Sequence, residues 1–400
     1  MTLVRLAVLF FLVGSLISCQ EKAEVDDSDP IELVDVGADQ TAADKFINKL
    51  ITTVLEQDHK TLASLFSTHA YVDLVLEGVD FPKAMRAEFM KGVNKSLRQK
   101  KGGRGWFLFA YNRASYVGIR EFEGTKYPVV RFDLPDGGSD FIFFQLMKGP
   151  YGTPRILDTF ALSAGEWCSQ VTRRMILPAL AAEMQSPLMK LVNSKEDKLA
   201  MEHFNKTQKI LNSYANGDFA AVRKTYESLP TELQEQRQLF VTYLMTVTDD
   251  DQALVKAGDR FAKVFGDDPS VAFMMIDVDF SAGRLDKVLE RITQVEELIG
   301  EDPVLALLRA NIHLQLNQEG AAQSIIQKVH QLDPTIEETY WTAIQLAAQT
   351  SNYDEALLWM NRYQTEFDYK LTKEDFNPES LALLLQSKEI DAWFSSSPSE

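Results

Sequence analysis

Residues 266–269 read GDDP and residues 300–303 read GEDP, so one short stretch recurs after an interval of 34 residues. Glycine commonly ends a helix. Aspartate followed by proline commonly begins one, because the carboxylate caps free N–H groups and proline fits the first helical position. Each copy therefore predicts the end of one helix and the start of the next.

Three further series of residues keep the same interval of 34. Turn-forming residues mark the reversal between two helices, small residues let the second helix pack closely, and apolar residues follow one turn later. The three series are Gly283, Asn317 and Ser351; Val288, Ala322 and Ala356; and Ile292, Ile326 and Met360. A period of this length predicts stacked helical hairpins.

In this period the sequence resembles the tetratricopeptide repeat family, whose unit is 34 residues long. The clearest matches are 294–300, 322–334 and 352–356. The resemblance implies an all-α tetratricopeptide-like solenoid over 196–376. A capping helix is expected over 377–395, because the last repeat would otherwise expose an apolar face.

The N-terminus carries the features of a secreted lipoprotein. Residues 1–18 have one arginine and an apolar run shorter than the roughly 20 residues needed to cross a bilayer, as in a secretory signal peptide. The junction LISC at 16–19 resembles the lipobox of bacterial lipoproteins, which implies cleavage before Cys19 and a lipid on its thiol. In that family Gln20, in place of aspartate, implies the outer membrane. We therefore expect a cell-envelope, outer-membrane lipoprotein facing the periplasm; an uncleaved anchor and a soluble secreted protein are the alternatives.

Charge divides the remaining chain into three parts. Residues 19–40 are strongly acidic and contain no aromatic residue, so we expect an acidic flexible tether. Residues 41–195 hold 21 basic and 15 acidic side chains, whereas residues 196–400 hold 18 basic and 35 acidic ones. Because the total charge is −17 and the expected compartment lies outside the cytoplasm, we expect no nucleic-acid partner.

Residues 41–165 predict an α+β domain in which helices precede a curled antiparallel sheet. Apolar residues recur at helical spacing over 46–55, 62–66 and 81–97. Strand patterns follow over 106–111, 115–120, 129–134, 141–147 and 156–162, with a PDGG turn at 135–138. This order is similar to the nuclear-transport-factor-two-like (SnoaL-like) cone fold. A helical connector over 166–195 is expected to join the domain to the repeats.

Eight basic residues lie within 83–104, against Glu88 as the single acidic residue. Because apolar residues also recur there every four positions, the segment predicts a basic amphipathic helix. One hypothesis is that this helix contacts anionic lipid head groups, in addition to the lipid anchor, or an acidic partner. The alternative is a solvated helix whose apolar side lies in the protein core.

The sequence contains no motif that indicates catalysis, a metal or a cofactor. Its five histidines lack metal-ligand spacing, and there is no glycine-rich phosphate loop, nucleophile elbow or Cys-x-x-Cys pair. We therefore expect a protein that is not an enzyme and holds no cofactor. The alternative is small-molecule binding or enzymatic activity in a pocket of the cone-like domain, with a carboxylate as base. The residues expected to line that pocket are Asp158, Tyr111, Tyr116 and Trp106.

The resemblance to tetratricopeptide repeats implies binding of a protein or peptide partner on the first helices of the hairpins. By the family's pattern the exposed groove positions are Phe273, Asp277, Phe280, Leu307, Asn311, Leu314, Trp341, Gln345 and Gln349. Apolar and amide side chains of this kind suit an extended backbone. The expected function is that of an adaptor or assembly factor. The alternative is that Phe273, Leu307 and Trp341 only pack between adjacent hairpins.

Overall fold

The structure is a computed structural model that describes residues 31–79, 83–98, 111–134, 138–183, 195–266, 268–377 and 381–396. Its chain forms two compact units, Met1–Arg284 and Leu285–Glu400. The boundary lies inside the region for which the sequence predicts helical repeats. The predicted signal peptide, Cys19 and the first part of the predicted tether lie outside the described residues.

Four helices open the first unit: α1 (Gln40–Leu55), α2 (His59–Leu65), α3 (Thr68–Val75) and α4 (Lys83–Arg98). Aspartates begin the first two, because Asp39 accepts a hydrogen bond from the amide of Ala42 and Asp58 accepts from Thr61. The helices at α1, α2 and α4 are confirmed. The sequence did not predict α3.

The sheet has five antiparallel strands in the order β1-β2-β3-β4-β5. They are β1 (Arg113–Phe122), β2 (Thr125–Asp133), β3 (Ser139–Lys148), β4 (Pro154–Ala161) and β5 (Glu166–Trp167). The first four confirm predicted strands, whereas the two-residue β5 was not predicted. Residues 106–110 of the first predicted strand and 135–137 of the predicted turn lie outside the described residues.

Both faces of the sheet are buried within this unit. On one face Phe132, Ile142 and Ile156 share a core with apolar residues of α1 to α4. The other face is lined by aromatic side chains. The ring centroid of Phe160 lies 4.8 Å from that of Phe122 and 5.5 Å from that of Trp167. Helices therefore precede the sheet and pack on one side of it, as predicted, while the second side is also covered.

The first unit continues with eight more helices among its described residues. They are α5 (Cys168–Glu183), α6 (Lys195–Glu202), α7 (Phe204–Ala215), α8 (Phe219–Glu227), α9 (Thr231–Gln234), α10 (Arg237–Leu244), α11 (Asp251–Phe265) and α12 (Pro269–Ser281). The predicted connector corresponds to β5, α5 and the start of α6, and its residues 184–194 lie outside the described part. Throughout the described residues of the chain, no helix has the length and apolarity needed to span a bilayer.

In the second unit consecutive helices pack against one another. They are α13 (Leu285–Ile299), α14 (Pro303–Gln315), α15 (Glu319–Leu332), α16 (Glu337–Gln349), α17 (Tyr353–Phe367), α18 (Ala382–Leu385) and α19 (Lys388–Ser396). One capping helix was predicted over 377–395, but two short helices occupy the described part of this segment. Ser387 separates the two helices. Its hydroxyl accepts a hydrogen bond from the amide of Ile390 and so caps the start of α19.

The 34-residue period reappears in the helix bounds. Helices α12, α14 and α16 begin at residues 269, 303 and 337, and α13, α15 and α17 begin at 285, 319 and 353. The turn series has left-handed backbone angles, with φ of +68° at Gly283, +54° at Asn317 and +56° at Ser351. The small and apolar series are buried. Each series therefore has the place that the sequence pattern predicted.

Candidate functional site

Helix α16 carries three of the predicted groove residues on one face. Trp341, Gln345 and Gln349 follow one another at intervals of four residues, so they form a line along the helix. Trp341 is half-buried, with its ring centroid 5.3 Å from that of Tyr363 and 5.5 Å from that of Phe376. Gln345 is half-buried and Gln349 is exposed. This line, the α16 strip, offers one indole and two amides.

Helix α14 contributes one polar residue beside the α16 strip. The Oδ1 atom of Asn311 accepts a hydrogen bond of 3.2 Å from the hydroxyl of Thr342, which lies next to Trp341 in sequence. Asn311 is half-buried. The contact joins α14 to α16 and places another amide near the α16 strip.

The other two groove residues of this unit are buried. Leu307 packs with Val329 and Ile336, and Leu314 belongs to the apolar cluster around Tyr340. Both side chains stabilise the contacts between consecutive helices, which is the alternative that the sequence left open for Leu307. Within the described structure they present little surface to a partner.

The three groove residues of α12 lie in the first unit. Phe273 is buried and meets Phe141 of β3 edge to face, with ring centroids 5.8 Å apart. Asp277 and Phe280 are half-buried. Phe273 therefore serves as a packing residue between α12 and the aromatic face of the sheet.

Asp158, the carboxylate of the predicted pocket, is buried in β4 and forms hydrogen bonds with neighbouring residues. It accepts hydrogen bonds from the amides of Thr159 (2.8 Å) and Ser169 (3.1 Å) and from the Ser169 hydroxyl. Ser169 lies in the first turn of α5, whose amides have no partner inside the helix. Burial raises the pKa of Asp158 to about 7, against the lowering effect of these bonds. The carboxyl group thus anchors α5 to the sheet.

The structure does not bring the predicted pocket residues together. Two strands separate β4 from β1, and the pairing register places Tyr116 level with Ala161 and not with Asp158. The rings of Tyr111 and Phe132 are tilted by 31° to each other, with centroids 4.5 Å apart. Burial, and secondarily the carboxylate of Asp44, raise the pKa of Tyr116. Trp106 lies outside the described residues.

A cavity of about 330 Å³ lies at a different place, beside a bulge of β1. Its lining residues are Gly37, Gln40, Gly118, Ile119, Arg120, Glu121 and Lys126. The guanidinium of Arg120 donates to the carbonyls of Ile119 and Val117, each at 2.9 Å. No sequence motif marks this cavity, although a glycine inside a strand pattern, here Gly118, indicates a bulge.

The predicted basic helix corresponds to α4, and its apolar face lies in the protein core. Phe89, Val93 and Leu97 are buried in the same cluster as the inner face of the sheet. This is the arrangement that the alternative hypothesis predicted, and it removes the apolar face from contact with lipid. Lys83 and Arg98 remain exposed on α4, so an electrostatic contact stays a prediction. Residues 99–104 lie outside the described structure.

No group of histidine, cysteine or acidic residues suited to a metal ion occurs among the described residues. The predicted lipidation site Cys19 lies beyond them. Comparison with protein-family models, with curated proteins and with solved structures found no match to this chain.

Proposed function

We propose that this chain is a lipid-anchored protein of the cell envelope, facing the periplasm from the outer membrane, that binds a protein partner as an adaptor or assembly factor. One observation supports the proposal most directly. The 34-residue sequence period coincides with the helix bounds and with left-handed turns at Gly283, Asn317 and Ser351. Units of this length bury a core only by stacking, and stacked units align their first helices into a surface that holds peptides.

The partner site of the proposed solenoid is the α16 strip together with Asn311. Its indole provides apolar contact, and its amides pair with the N–H and carbonyl groups of an extended peptide. Glu337 stands one turn before Trp341 and is exposed, and it accepts hydrogen bonds from Trp341 (3.4 Å) and Tyr363 (2.6 Å). Because residues 196–400 hold 35 acidic and 18 basic side chains, the partner segment is expected to be basic.

Photo-crosslinking in intact cells tests this proposal. Benzoylphenylalanine replaces Gln345 or Gln349 on the α16 strip, and Gln327, which is exposed on α15, serves as the matched control. The captured protein is identified by mass spectrometry. We expect both strip positions to capture the same protein and Gln327 to capture none.

A binding measurement then distinguishes specific binding at the α16 strip from non-specific association with the chain. With the identified partner, Gln345→Arg is expected to weaken binding roughly tenfold, because a long cation replaces an amide that pairs with the peptide backbone and repels a basic segment. Gln327→Arg is expected to leave the affinity unchanged. Equal capture at all three positions, or equal affinity of the two variants, would contradict the proposed site.

Small-molecule binding is the second candidate, and the cavity beside β1 favours it over the predicted pocket. The volume of about 330 Å³ lies within the range of ligand sites. Its two cationic side chains, Arg120 and Lys126, suit a small anion. A thermal-shift screen of carboxylate and phosphate compounds tests this function, with Lys126→Gln expected to abolish any stabilisation. An unchanged shift in that variant would place the ligand elsewhere.

A further inference from the structure

The turn between β3 and β4 presents a fully exposed tyrosine. Tyr151 contacts none of the described core, and its φ of +59° lies in the left-handed region that side chains rarely adopt. Hydrogen bonds hold the turn in this form: the amide of Gly149 donates to the Thr153 carbonyl (2.7 Å), and the Thr153 hydroxyl donates to the Pro150 carbonyl (2.8 Å). The chain thus holds a large aromatic side chain outward, in a conformation of the kind that clusters at functional sites.

The N-terminal segment of the described chain runs beside this turn. Leu33 forms a bridge with Met147 of β3, and the amide of Lys148 donates to the Glu32 carbonyl at 2.8 Å. Because the pairing is antiparallel, Ile31 lies level with Gly149 at the base of the turn. Ile31 and Leu33 are 40% and 46% exposed. Three exposed apolar side chains therefore lie at one end of the sheet, and we call Ile31, Leu33 and Tyr151 the tip patch.

The tip patch is also where the anchored end of the chain enters this unit. Twelve residues, 19–30, separate Ile31 from the predicted lipid on Cys19. At about 3.5 Å per residue, covalent geometry keeps Ile31 within about 42 Å of Cys19. A lipid on Cys19 would hold the tip patch near the bilayer surface and raise its local concentration there.

We propose that the tip patch docks on the bilayer that carries the Cys19 lipid, with the Tyr151 ring at the level of the head groups. Tyrosine suits this position, because its ring is apolar and its hydroxyl stays hydrated. Lys148 flanks the turn and its ammonium group pairs with Glu32, while Arg155, opposite Met147 in the sheet, adds a cation at the base of the patch. The inference rests on the lipid anchor in the proposed function and adds a defined surface and orientation to it.

Spin labelling of the lipidated chain in vesicles tests the docking. Tyr151→Cys carries the nitroxide, and Leu55→Cys, an exposed apolar position at the far end of α1, is the matched control. Cys168 is buried and the Cys19 thiol is blocked by its lipid, so each variant offers one reactive thiol. The vesicles contain phosphatidylethanolamine and phosphatidylglycerol. The reference for each label is the Cys19→Ala chain in buffer.

The readout is the collision rate of each label with a soluble nickel chelate and with oxygen, which concentrates in the bilayer. On vesicles, the label at 151 is expected to lose roughly threefold in nickel collisions and to gain oxygen collisions, because interfacial tyrosines lie at head-group depth. The label at 55 is expected to change little. Aqueous behaviour at 151, or equal changes at 151 and 55, overturns the docking.

Two further outcomes separate this proposal from its alternatives. If the label at 151 is already protected in concentrated Cys19→Ala chain without vesicles, the tip patch contacts a second copy and not lipid. If mass spectrometry finds no lipid on Cys19 and the chain does not float with vesicles, the anchor itself fails and the docking fails with it. A chain that floats while the label at 151 stays aqueous overturns the docking alone.

Discussion

The Arg237 side chain contacts three segments of the first unit. Replacing it therefore tests how much these contacts stabilise that unit. Its Nε atom donates to the Ala164 carbonyl at 2.9 Å, in the turn between β4 and β5. Its other nitrogens donate to the Asp268 carboxylate and the Ser270 hydroxyl at the start of α12. The side chain is 6% exposed. We expect Arg237→Met, which keeps most of the volume and removes the charge, to loosen all three segments.

The expected cost follows from the partners left behind. Removing one member of a buried ion pair costs about 3–5 kcal/mol, and a buried acceptor without a donor costs about 1–3 kcal/mol. Asp268 is 34% exposed, so water compensates part of its loss. We therefore expect Arg237→Met to lower the free energy of unfolding by about 3 kcal/mol. Asp268→Asn keeps the cap on the Ser270 amide and is expected to cost about 1–2 kcal/mol.

Urea unfolding followed by circular dichroism measures the loss, and hydrogen exchange locates it. Protection is expected to fall first in the turn at Ala164 and in α12. Lys328→Met is the control, because Lys328 and Glu301 form an exposed pair worth less than about 1 kcal/mol. The double variant of Arg237 and Asp268 is expected to show a coupling energy of about 1–2 kcal/mol.

Three results would refute this reasoning. The first is a change below about 0.5 kcal/mol for Arg237→Met, which is the range of an ordinary surface substitution. The second is a loss of protection spread evenly over the first unit. The third is strict additivity of the substitutions at Arg237 and Asp268.

Two further predictions concern pH and the repeat turns. Burial raises the pKa of Asp140 to about 6 and that of Asp158 to about 7. At these two carboxyls the folded chain binds more protons than the unfolded one above about pH 4, so their contribution to the free energy of unfolding should fall as pH rises toward 7. Burial lowers the pKa of His330, whose contribution has the opposite sign. Thermal unfolding between pH 5 and 8 should show a flatter dependence in Asp158→Asn, and an unchanged slope would contradict the raised pKa. Ser351→Gly should raise the free energy of unfolding by about 0.5–1 kcal/mol, because glycine accepts the left-handed φ of +56°. Asn317→Gly should gain less, since asparagine tolerates that region, and Ser324→Gly inside α15 should lose about 0.5 kcal/mol. Denaturant titration checks the order, and a loss of stability in Ser351→Gly would contradict it.

The helices of the repeats were predictable because their signals are local. Asp302 caps the amide of Val304 at 2.9 Å, and Pro303 occupies the first helical position, so the start of α14 depends on three neighbouring residues. The same holds for the strands with alternating or continuous apolar patterns. Helix α3 escaped prediction because it has only eight residues, too few for an apolar period to stand out. Strand β5 is too short to have a pattern.

The candidate site was predictable only in part, because only some of its features depend on residues that are close in sequence. The spacing of Trp341, Gln345 and Gln349 puts them on one face of any helix, and the structure confirms that helix. The spacing did not show that Phe273 packs on Phe141, because the two residues are 132 positions apart. The tip patch could not be predicted from the sequence either, because it depends on the pairing of Leu33 with Met147.

The sequence by itself determined the places of most helices and of four strands, the 34-residue period and the position of the N-terminal cysteine. Capping, turn geometry and apolar periodicity act over a few residues and can be read from them. Only the tertiary structure decided which apolar side chains cover a core and which stay exposed. In the folded chain Asp158 accepts hydrogen bonds from Ser169, Phe273 is buried and Tyr151 is exposed. Burial depends on residues that are distant in the chain, and these meet only when the chain folds.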